Sequence, residues 1–441
     1  MTDDTIVAPA TPLGRSALAI VRIDGRASVS ILTELNRGVV PPVRMATLVK
    51  LHDRLTANDA LIDECIAIRY EAPHSFTGND LVELTLHGNP LLVEQVLRAC
   101  VALGARMAEP GEFTERAVLN GKMDLVQAES VADLINARTA LQARLSLSNL
   151  EGVLSRTGAA IRQTLLEVIS RLEAALDFSE EGYEFITRDE VRARLGDALG
   201  RLKSMGETYR RGRATTSGLS AVILGRPNAG KSTLLNRLVG SDRAIVTAIP
   251  GTTRDIVRET IEIGGLPVTI ADTAGLRESD DVVEGIGIER ARQAAQTADI
   301  VLYLIDLSAG LTDEDRSELA RLENVQVVYT KADLAPAVPD ELSISAVSDA
   351  GMDLLLRRLD ELVRERFAAP EGALVNERQR AAVAGAASAV EAAISSVEHG
   401  YEEQMILVDL YRGANALALL TGAITREDVL AEIFGKFCIG K

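Results

Sequence analysis

The sequence has no tryptophan, and aromatic residues make up only 3% of its 441 residues. Its hydrophobic cores must therefore be built mainly from Leu, Ile, Val and Ala, which favours helices and α/β layers over a β-sandwich. A chain of 441 residues is too long for one compact domain, so we expect two to four domains.

Cysteine is also scarce, and the 47 basic residues are outnumbered by 64 acidic ones. The three cysteines, Cys65, Cys100 and Cys438, are too few and too scattered for a disulfide framework or a zinc site. A net charge of -17 argues against broad nonspecific binding to nucleic acid.

The sequence has no apolar run long enough to span a membrane and no signal pattern at its N-terminus. We therefore expect a cytoplasmic protein with no membrane partner.

The first part of the chain has the texture of a small α+β domain. Short apolar runs predict strands at 17–23, 65–70 and 81–86, and a longer run predicts a helix at 91–103. We assign this domain to residues 1–118.

Two helical stretches, 119–215 and 369–441, flank a segment of different character. The first contains a predicted capping box, formed by Thr187 and Glu190. Its apolar stripes suit either a helix bundle or a coiled coil, and their shortness favours the bundle. The simplest arrangement is one helical domain made from both stretches.

The segment between them, 216–368, alternates strand-like and helical runs, which predicts a mostly parallel sheet with helices on both faces. The expected strands lie at 219–224, 268–271, 300–305, 325–329 and 342–345. The predicted fold class is thus multidomain, α+β and α/β, with the α/β domain inserted into the helical one.

Residues 225–232 read Gly-Arg-Pro-Asn-Ala-Gly-Lys-Ser and match the phosphate-loop pattern completely. A strand precedes the loop and a helix follows it, so backbone amides and the helix N-terminus can surround phosphate groups. Lys231 is expected to reach the β and γ phosphates, and Ser232 to bind magnesium. The predicted nucleotide-binding residues here are Asn228, Ala229, Gly230, Lys231, Ser232 and Thr233.

Three further motifs follow in the order that a guanine-nucleotide domain requires. Residues 272–275 read Asp-Thr-Ala-Gly. The Asp272 carboxylate can hold the metal through water, and the Gly275 amide can sense the γ phosphate. Asp333 ends Thr-Lys-Ala-Asp and can accept two hydrogen bonds from guanine, which adenine cannot donate. In this motif, Lys331 can pack its stem on the base, and Thr330 replaces the usual Asn.

Residues Ser345 and Ala346 follow the last expected strand and would present an amide to the guanine oxygen. Together the four motifs predict a domain that binds GTP.

The whole chain resembles the MnmE (TrmE) family of tRNA modification GTPases. The resemblance rests on the segments Asp-Thr-Ile-Val-Ala at 4–8, Pro-Gly-Glu-Phe-Thr-Glu-Arg-Ala at 110–117, Asn-Gly-Lys at 120–122, Pro-Gly-Thr-Thr-Arg-Asp at 250–255 and Phe-Cys-Ile-Gly-Lys at 437–441. The last segment is very specific to the family, and general GTPases lack it.

The resemblance implies a hydrolysis mechanism based on potassium. Leu276 stands where Ras-like enzymes place the glutamine that orients water, so another group must do this. In the family this group corresponds to Glu284, although the residue could also be an ordinary exposed carboxylate of an acidic segment. The implied potassium ligands are Asn228, Thr247, Ile249 and Thr252, and Thr253 would join Ser232 on magnesium.

The resemblance also implies that the N-terminal domain forms a homodimer and binds a tetrahydrofolate derivative. By residue match, the folate would contact Arg22, Glu83, Lys122 and Lys441, although these could be ordinary surface residues. The sequence departs from the family at Asn89, where a second glycine is usual. We also expect a flavin-dependent partner, MnmG, in a heterotetramer that adds an aminomethyl-type group to carbon 5 of the wobble uridine in certain tRNAs.

Several alternatives stay open at this point. The GTPase motifs alone would also suit a regulatory or ribosome-assembly switch without modification chemistry. Cys438 could act as a nucleophile, but no nearby His or second Cys activates it, which favours an inert thiol. A run of basic residues could bind tRNA or form a solvated helix end; it comprises Arg201, Lys203, Arg210, Arg211 and Arg213.

Overall fold

The computed structural model describes residues 4–53, 59–178, 185–241, 243–245, 258–271, 293–424, 427–435 and 437–440. The chain divides into two compact units. The first contains residues 1–132 and 417–441, and the second contains residues 133–416.

The first unit is built on a six-stranded sheet in the order β3-β4-β5-β2-β1-β6. Adjacent strands are antiparallel except β1 and β6, which run parallel. The strands are β1 (Thr5–Pro9), β2 (Leu18–Asp24), β3 (Thr47–Asp53), β4 (Ala60–Tyr70), β5 (Leu81–His87) and β6 (Ala105–Met107). Buried and more exposed residues alternate along β2, which is typical of a sheet with one covered face.

Helices cover one face of this sheet and bury Val21, Leu84 and Val96 in a common core. The expected strands at 17–23, 65–70 and 81–86 lie within two residues of β2, the C-terminal half of β4, and β5. Helices in this unit are α1 (Ser28–Leu35), α2 (Pro90–Ala102), α3 (Glu112–Leu119), α4 (Leu125–Asn136, which continues into the second unit) and α14 (Glu427–Phe434).

The departure from the family at Asn89 has a local role. Its side-chain oxygen accepts a hydrogen bond of 3.0 Å from the amide of Leu91 and so caps the start of α2. Asparagine is among the best residues for this position, and Pro90 suits the first helical turn.

The second unit contains a five-stranded sheet in the order β11-β10-β7-β9-β8. Four strands are parallel and β8 pairs antiparallel with β9, as expected for a mostly parallel sheet. The strands are β7 (Leu219–Gly225), β8 (Arg258–Ile263), β9 (Leu266–Ala271), β10 (Ile300–Asp306) and β11 (Val325–Thr330). Apolar side chains are buried on both faces of the sheet.

The strand expected at 342–345 is wrong. This segment makes only an isolated parallel bridge between Ser343 and Tyr329. The bridge cannot extend because β11 ends at Thr330, and Lys331 then takes a left-handed backbone with φ of 61°. Leu342 and Ile344 are still buried, which explains their strand-like pattern.

The helices of the second unit include the long helical segments expected from the sequence. The Thr187 hydroxyl accepts from the amide of Glu190 at 3.2 Å, and the Glu190 carboxylate accepts from the amide of Thr187, so the predicted capping box is confirmed. Helices described in this unit are α5 (Ala140–Leu150), α6 (Val153–Asp177), α7 (Arg188–Glu207), α8 (Tyr209–Ser217), α9 (Lys231–Val239), α10 (Asp313–Leu319), α11 (Met352–Phe367), α12 (Glu377–Glu398) and α13 (Glu403–Thr421, which continues into the first unit).

Helix α12 is, within the described part of the chain, the one helix long and apolar enough to cross a membrane by length and composition. It packs against α7 and buries Val383, Ala386 and Val390 along one stripe. Core helices of this kind commonly pass such a test, so the finding is weak evidence for a membrane span.

Candidate functional site: a nucleotide loop and a polar cluster on the N-terminal sheet

The phosphate loop connects the end of β7 to the start of α9. Gly225 and Gly230 have φ of 140° and 88°, values that L side chains rarely adopt. A Cβ atom at Gly225 would lie 2.4 Å from the carbonyl oxygen of Leu304, so the neighbouring strand requires glycine there. Asn228 also has a left-handed backbone, with φ of 63°. The loop thus has the tight shape that turns backbone amides inward.

Lys231 is the first residue of α9, and its side chain turns back over the loop. The ammonium lies 2.9 Å from the carbonyl oxygen of Gly225 and 2.7 Å from that of Arg226. Ser232 and Thr233 follow it in the first helical turn and are exposed. The ammonium and these hydroxyls are therefore near the helix N-terminus, where phosphate groups are favoured.

Thr330, at the end of β11, holds the loop from the side. Its hydroxyl lies 2.8 Å from the carbonyl oxygen of Ala229 and 3.3 Å from that of Ile305. The residue is 5% exposed. Threonine therefore braces the loop at the position where asparagine is usual.

Lys331 forms an ion pair with Asp306, the last residue of β10, with 2.6 Å between Nζ and Oδ2. The other carboxylate oxygen accepts from the amide and the hydroxyl of Ser308, at 2.9 Å and 2.6 Å. Burial would raise the pKa of Asp306, but the hydrogen bonds from Lys331 and Ser308 outweigh it and lower the pKa. The carboxylate thus stays ionised at neutral pH.

The two loops expected to contact guanine lie side by side. The amide of Ala332 donates to the carbonyl oxygen of Ile344 at 3.0 Å. Asp333 is exposed, and Ala346 follows the buried Ser345. The Ser345 hydroxyl accepts from the amide of Ser348 at 3.2 Å, which orders this turn. The fold therefore brings Asp333 and Ser345 to the same edge of the sheet as the phosphate loop.

Other predicted site residues lie outside the described residues. They are Thr247, Ile249, Thr252, Thr253, Asp272, Gly275, Leu276, Glu284 and Lys441.

A buried network that sequence reasoning missed lies next to the phosphate loop. Asp315, 1% exposed, accepts from the Tyr303 hydroxyl at 2.9 Å and from the Thr312 hydroxyl at 2.7 Å. Its carboxylate lies 3.8 Å from Nε of Arg226, which belongs to the loop. Burial would raise the pKa of Asp315, but its hydrogen bonds and the charge of Arg226 lower it. Only the capping pattern of Thr312 and Asp315 could have signalled this network.

In the first unit, Arg22 and Glu83 are direct cross-strand partners on β2 and β5. Nε of Arg22 donates to Glu83 at 2.8 Å, and the Tyr70 hydroxyl lies 3.4 Å from the other carboxylate oxygen. The Arg22 guanidinium also stacks 5.5 Å from the ring centre of Phe76. Burial and the Glu83 charge raise the pKa of Tyr70.

Lys122 approaches the same loop as Arg22, since its ammonium donates to the carbonyl oxygen of Pro73 at 2.9 Å. Asn120, two residues before Lys122, donates to the carbonyl oxygen of Thr77 at 2.8 Å. The Thr77 hydroxyl in turn donates to the fully buried Asp24. The loop at 72–80 is therefore held on one side by Arg22 and on the other by Lys122 and Asn120.

Beneath this loop lies a buried charge cluster. Arg116, 4% exposed, contacts Asp24 at 3.0 Å, Asp4 at 2.8 Å and Glu112 at 3.0 Å. Burial raises the pKa of Asp24 despite its partners. Burial would also raise the pKa of Glu112, but hydrogen bonds from Arg106 and Arg116 lower it. The cluster ties α3 to β1 and β2.

The cysteines are free thiols. Burial raises the pKa of Cys65 and of Cys100 to about 12, so both are inert at neutral pH. Cys438 is exposed.

The basic run contributes contacts inside the second unit. Nζ of Lys203 lies 2.8 Å from Glu391, and the Arg210 guanidinium is 5.8 Å from the ring centre of Phe367. Arg211 and Arg213 are exposed on α8, whereas Arg201 is partly buried on α7.

A strand–loop–helix phosphate site, braced by Thr330 at the end of β11, where the Thr-Lys-Ala-Asp motif begins, defines a phosphate-loop GTPase. Family models for "MnmE helical domain" and "GTP-binding protein TrmE N-terminus" match residues 125–438 and 5–122. The chain therefore belongs to the MnmE family of tRNA modification GTPases. It is an enzyme that hydrolyses GTP and acts in tRNA modification.

Two relatives match along the whole chain, and one solved structure is similar over part of it. The tRNA modification GTPase MnmE of Nitrosospira multiformis is 40% identical, with 99% of both chains covered. That of Symbiobacterium thermophilum is 41% identical, with 100% of both chains covered. A crystal structure of Aquifex aeolicus Era bound to GDP.AlF4- is 27% identical and covers 39% of this chain and 66% of that chain, with a TM-score of 0.27.

Proposed function

We propose that this enzyme is a potassium-activated GTPase that works with a flavin-dependent partner, MnmG. Together they would install an aminomethyl-type group at carbon 5 of the wobble uridine of certain tRNAs, with the one-carbon unit supplied by a tetrahydrofolate derivative. One observation carries this proposal: a single chain combines the braced phosphate loop with the Arg22–Glu83 pair, which lies beside a loop that also contacts Lys122.

For GTP, the proposed contacts follow from the chemistry of each group. Lys231 and the amides of the loop hold the phosphates, and Asp333 accepts from the two donors of guanine. Lys331 packs its stem on the base. The full proposed set is Asn228, Ala229, Gly230, Lys231, Ser232, Thr233, Thr247, Thr253, Asp272, Gly275, Lys331, Asp333, Ser345 and Ala346.

For hydrolysis, we propose that Glu284 orients the attacking water. A potassium ion held by Asn228, Thr247, Ile249 and Thr252 would supply positive charge beside the phosphates. The left-handed backbone and exposed position of Asn228 support a role as one of its ligands.

Magnesium would be held by Ser232 and Thr253 together with nucleotide oxygens. Across the described residues, no group of three His, Cys, Asp or Glu side chains is placed to hold a metal ion.

For folate, we propose contacts from Arg22, Glu83, Lys122 and Lys441. The donor set fits the ligand, because its glutamate tail attracts cations and its pterin edge donates to a carboxylate. Arg22 and Glu83 are both partly exposed, with side-chain exposures of 18% and 21%, so each can reach a ligand.

The N-terminal domain is the proposed site of homodimer formation. Leu48 and Ile66 face each other on β3 and β4 and are 67% and 42% exposed, and β3 is the edge strand of its sheet. An exposed apolar pair at a sheet edge supports the proposal that a second copy of the chain covers this edge.

We further propose a cytoplasmic heterotetramer with MnmG. The proposed domains are 1–118, 119–215, 216–368 and 369–441.

Hydrolysis by the full-length protein in equal concentrations of KCl and NaCl tests the proposed mechanism. We expect a rate at least about tenfold higher in KCl, and equal rates would contradict the proposed potassium mechanism.

Glu284→Ala should abolish turnover and leave the Kd for GTP nearly unchanged. Glu278→Ala, in the same acidic segment, serves as the matched control and should keep its turnover.

A further inference from the structure

The carboxylate of Asp306 lies near the nucleotide site and has no role in the function proposed above. Its residue ends β10, between β7, which leads into the phosphate loop, and β11, which leads into Lys331. Asp306 pairs directly with Thr330 in the parallel ladder, and the amide of Leu307 donates to the Thr330 carbonyl oxygen at 3.0 Å. Asp306 is thus fixed next to the start of the guanine-binding motif.

The carboxylate itself is held from two sides. Ser308 donates to one oxygen through its amide and its hydroxyl, and the Lys331 ammonium contacts the other at 2.6 Å. The side chain of Asp306 is 15% exposed and that of Lys331 is 31% exposed. A partly buried, ionised carboxylate with three donors is a rigid anchor for a flexible lysine.

We propose that Asp306 is a positioning residue for guanine binding: it fixes the ammonium of Lys331 so that the lysine stem is pre-arranged for the base. The proposal rests on the role of Lys331 at the base suggested above. A free lysine loses about 2 kcal/mol of side-chain entropy when it is ordered. The ion pair removes part of this entropy cost before the nucleotide binds, because the lysine side chain is already held at its backbone and at its ammonium.

This role differs from that of Thr330, which contacts the phosphate loop. Asp306 acts through Lys331 and therefore affects ligands that carry a base. Pyrophosphate carries no base, so it reports on the phosphate loop alone. Comparison of GDP with pyrophosphate separates a positioning role from a general loosening of the site.

The test is calorimetric titration of the full-length protein with GDP and with pyrophosphate. We expect Asp306→Asn to weaken GDP about fivefold to tenfold, the effect of one side chain that must be ordered on binding. Pyrophosphate should bind as in the unchanged protein. Lys331→Ala should weaken GDP at least as much, and the double variant should match Lys331→Ala, since both changes remove one interaction.

Asp313→Asn is the matched control. Asp313 is fully exposed, and its ion pair with Arg316 is long, at 3.9 Å, so this pair contributes little. It should change neither affinity. Unchanged GDP affinity in Asp306→Asn, with Lys331→Ala weakened, would overturn the positioning role while the role of Lys331 stands. Equal losses for GDP and pyrophosphate in Asp306→Asn would also overturn it. Unchanged GDP affinity in Lys331→Ala would contradict the proposed base contact itself.

Discussion

The hydroxyl of Thr330 lies 2.8 Å from the carbonyl oxygen of Ala229 and so connects the end of β11 to the phosphate loop. Ala229 is buried, so its carbonyl oxygen has little access to water. The same hydroxyl is 3.3 Å from the Ile305 carbonyl oxygen on the intervening strand. One small side chain thus links three neighbouring segments at the nucleotide-binding edge of the sheet.

Thr330→Val should weaken both GDP and pyrophosphate by about fivefold to tenfold, because a buried carbonyl loses its donor at a cost of about 1 to 2 kcal/mol. Titration of the full-length protein with each ligand measures the effect. Thr164→Val is the matched control, since Thr164 is half-buried on α6 and its hydroxyl donates to the carbonyl oxygen of Ala160 in the same helix. Loss of GDP binding without loss of pyrophosphate binding would refute the brace.

Asp333→Asn should exchange the base preference of the enzyme. An amide can no longer accept from both guanine donors, but it can donate to the extra carbonyl of xanthine. We expect GTP hydrolysis at low substrate to fall by more than about a hundredfold, the loss of a charged double hydrogen bond, and XTP hydrolysis to rise. Asp340→Asn, an exposed aspartate with φ of 61°, should leave both rates unchanged. An equal fall for both nucleotides would argue that Asp333 is structural.

The nucleotide site could be predicted because the phosphate loop and the Thr-Lys-Ala-Asp motif each come at the end of a strand with a recognisable local pattern. The glycines Gly225 and Gly230 predicted the tight loop, and Lys231 predicted the positive charge that lies against it. By contrast, the contacts of Thr330 and Asp306 depend on the strand order β11-β10-β7, which no local spacing reveals. The expected strand at 342–345 failed for a related reason: its apolar alternation was present, but β11 ends one residue after Tyr329, the partner of Ser343.

Glu83→Gln should weaken binding of a tetrahydrofolate derivative by at least about tenfold, because the neutral amide attracts neither Arg22 nor the pterin donors as strongly. Equilibrium binding by the full-length protein measures this, and GTP hydrolysis without tRNA should not change. The control is Glu64→Gln, which removes an exposed cross-strand pair with Lys50 at 3.8 Å. Unaltered folate affinity in Glu83→Gln would remove this residue from the proposed site.

The cluster around Arg116 should make the first unit sensitive to acid. The pKa of Glu112 is lowered from its usual 4.5, so its ionised form stabilises the fold above that pH. The stabilisation is lost as the pH falls through the lower, folded value. Asp24 has a raised pKa, which gives the opposite sign, so only a comparison of variants isolates Glu112.

Amide hydrogen exchange across residues 105–120 provides this comparison. At pH 7, Glu112→Gln should lower the protection of this segment by about 3 kcal/mol, because Arg106 and Arg116 lose a shared buried partner. The difference between the two proteins should shrink as the pH falls from 5 to 3. A constant difference across that range would show that the Glu112 charge does not stabilise the segment.

The most direct measurement is nucleoside analysis of tRNA from cells that lack this gene, with and without the gene restored. We predict that the modified wobble uridine disappears in the deletion strain, returns with the unchanged gene and does not return with Glu284→Ala. Wobble uridines that stay modified in the deletion strain would contradict the account.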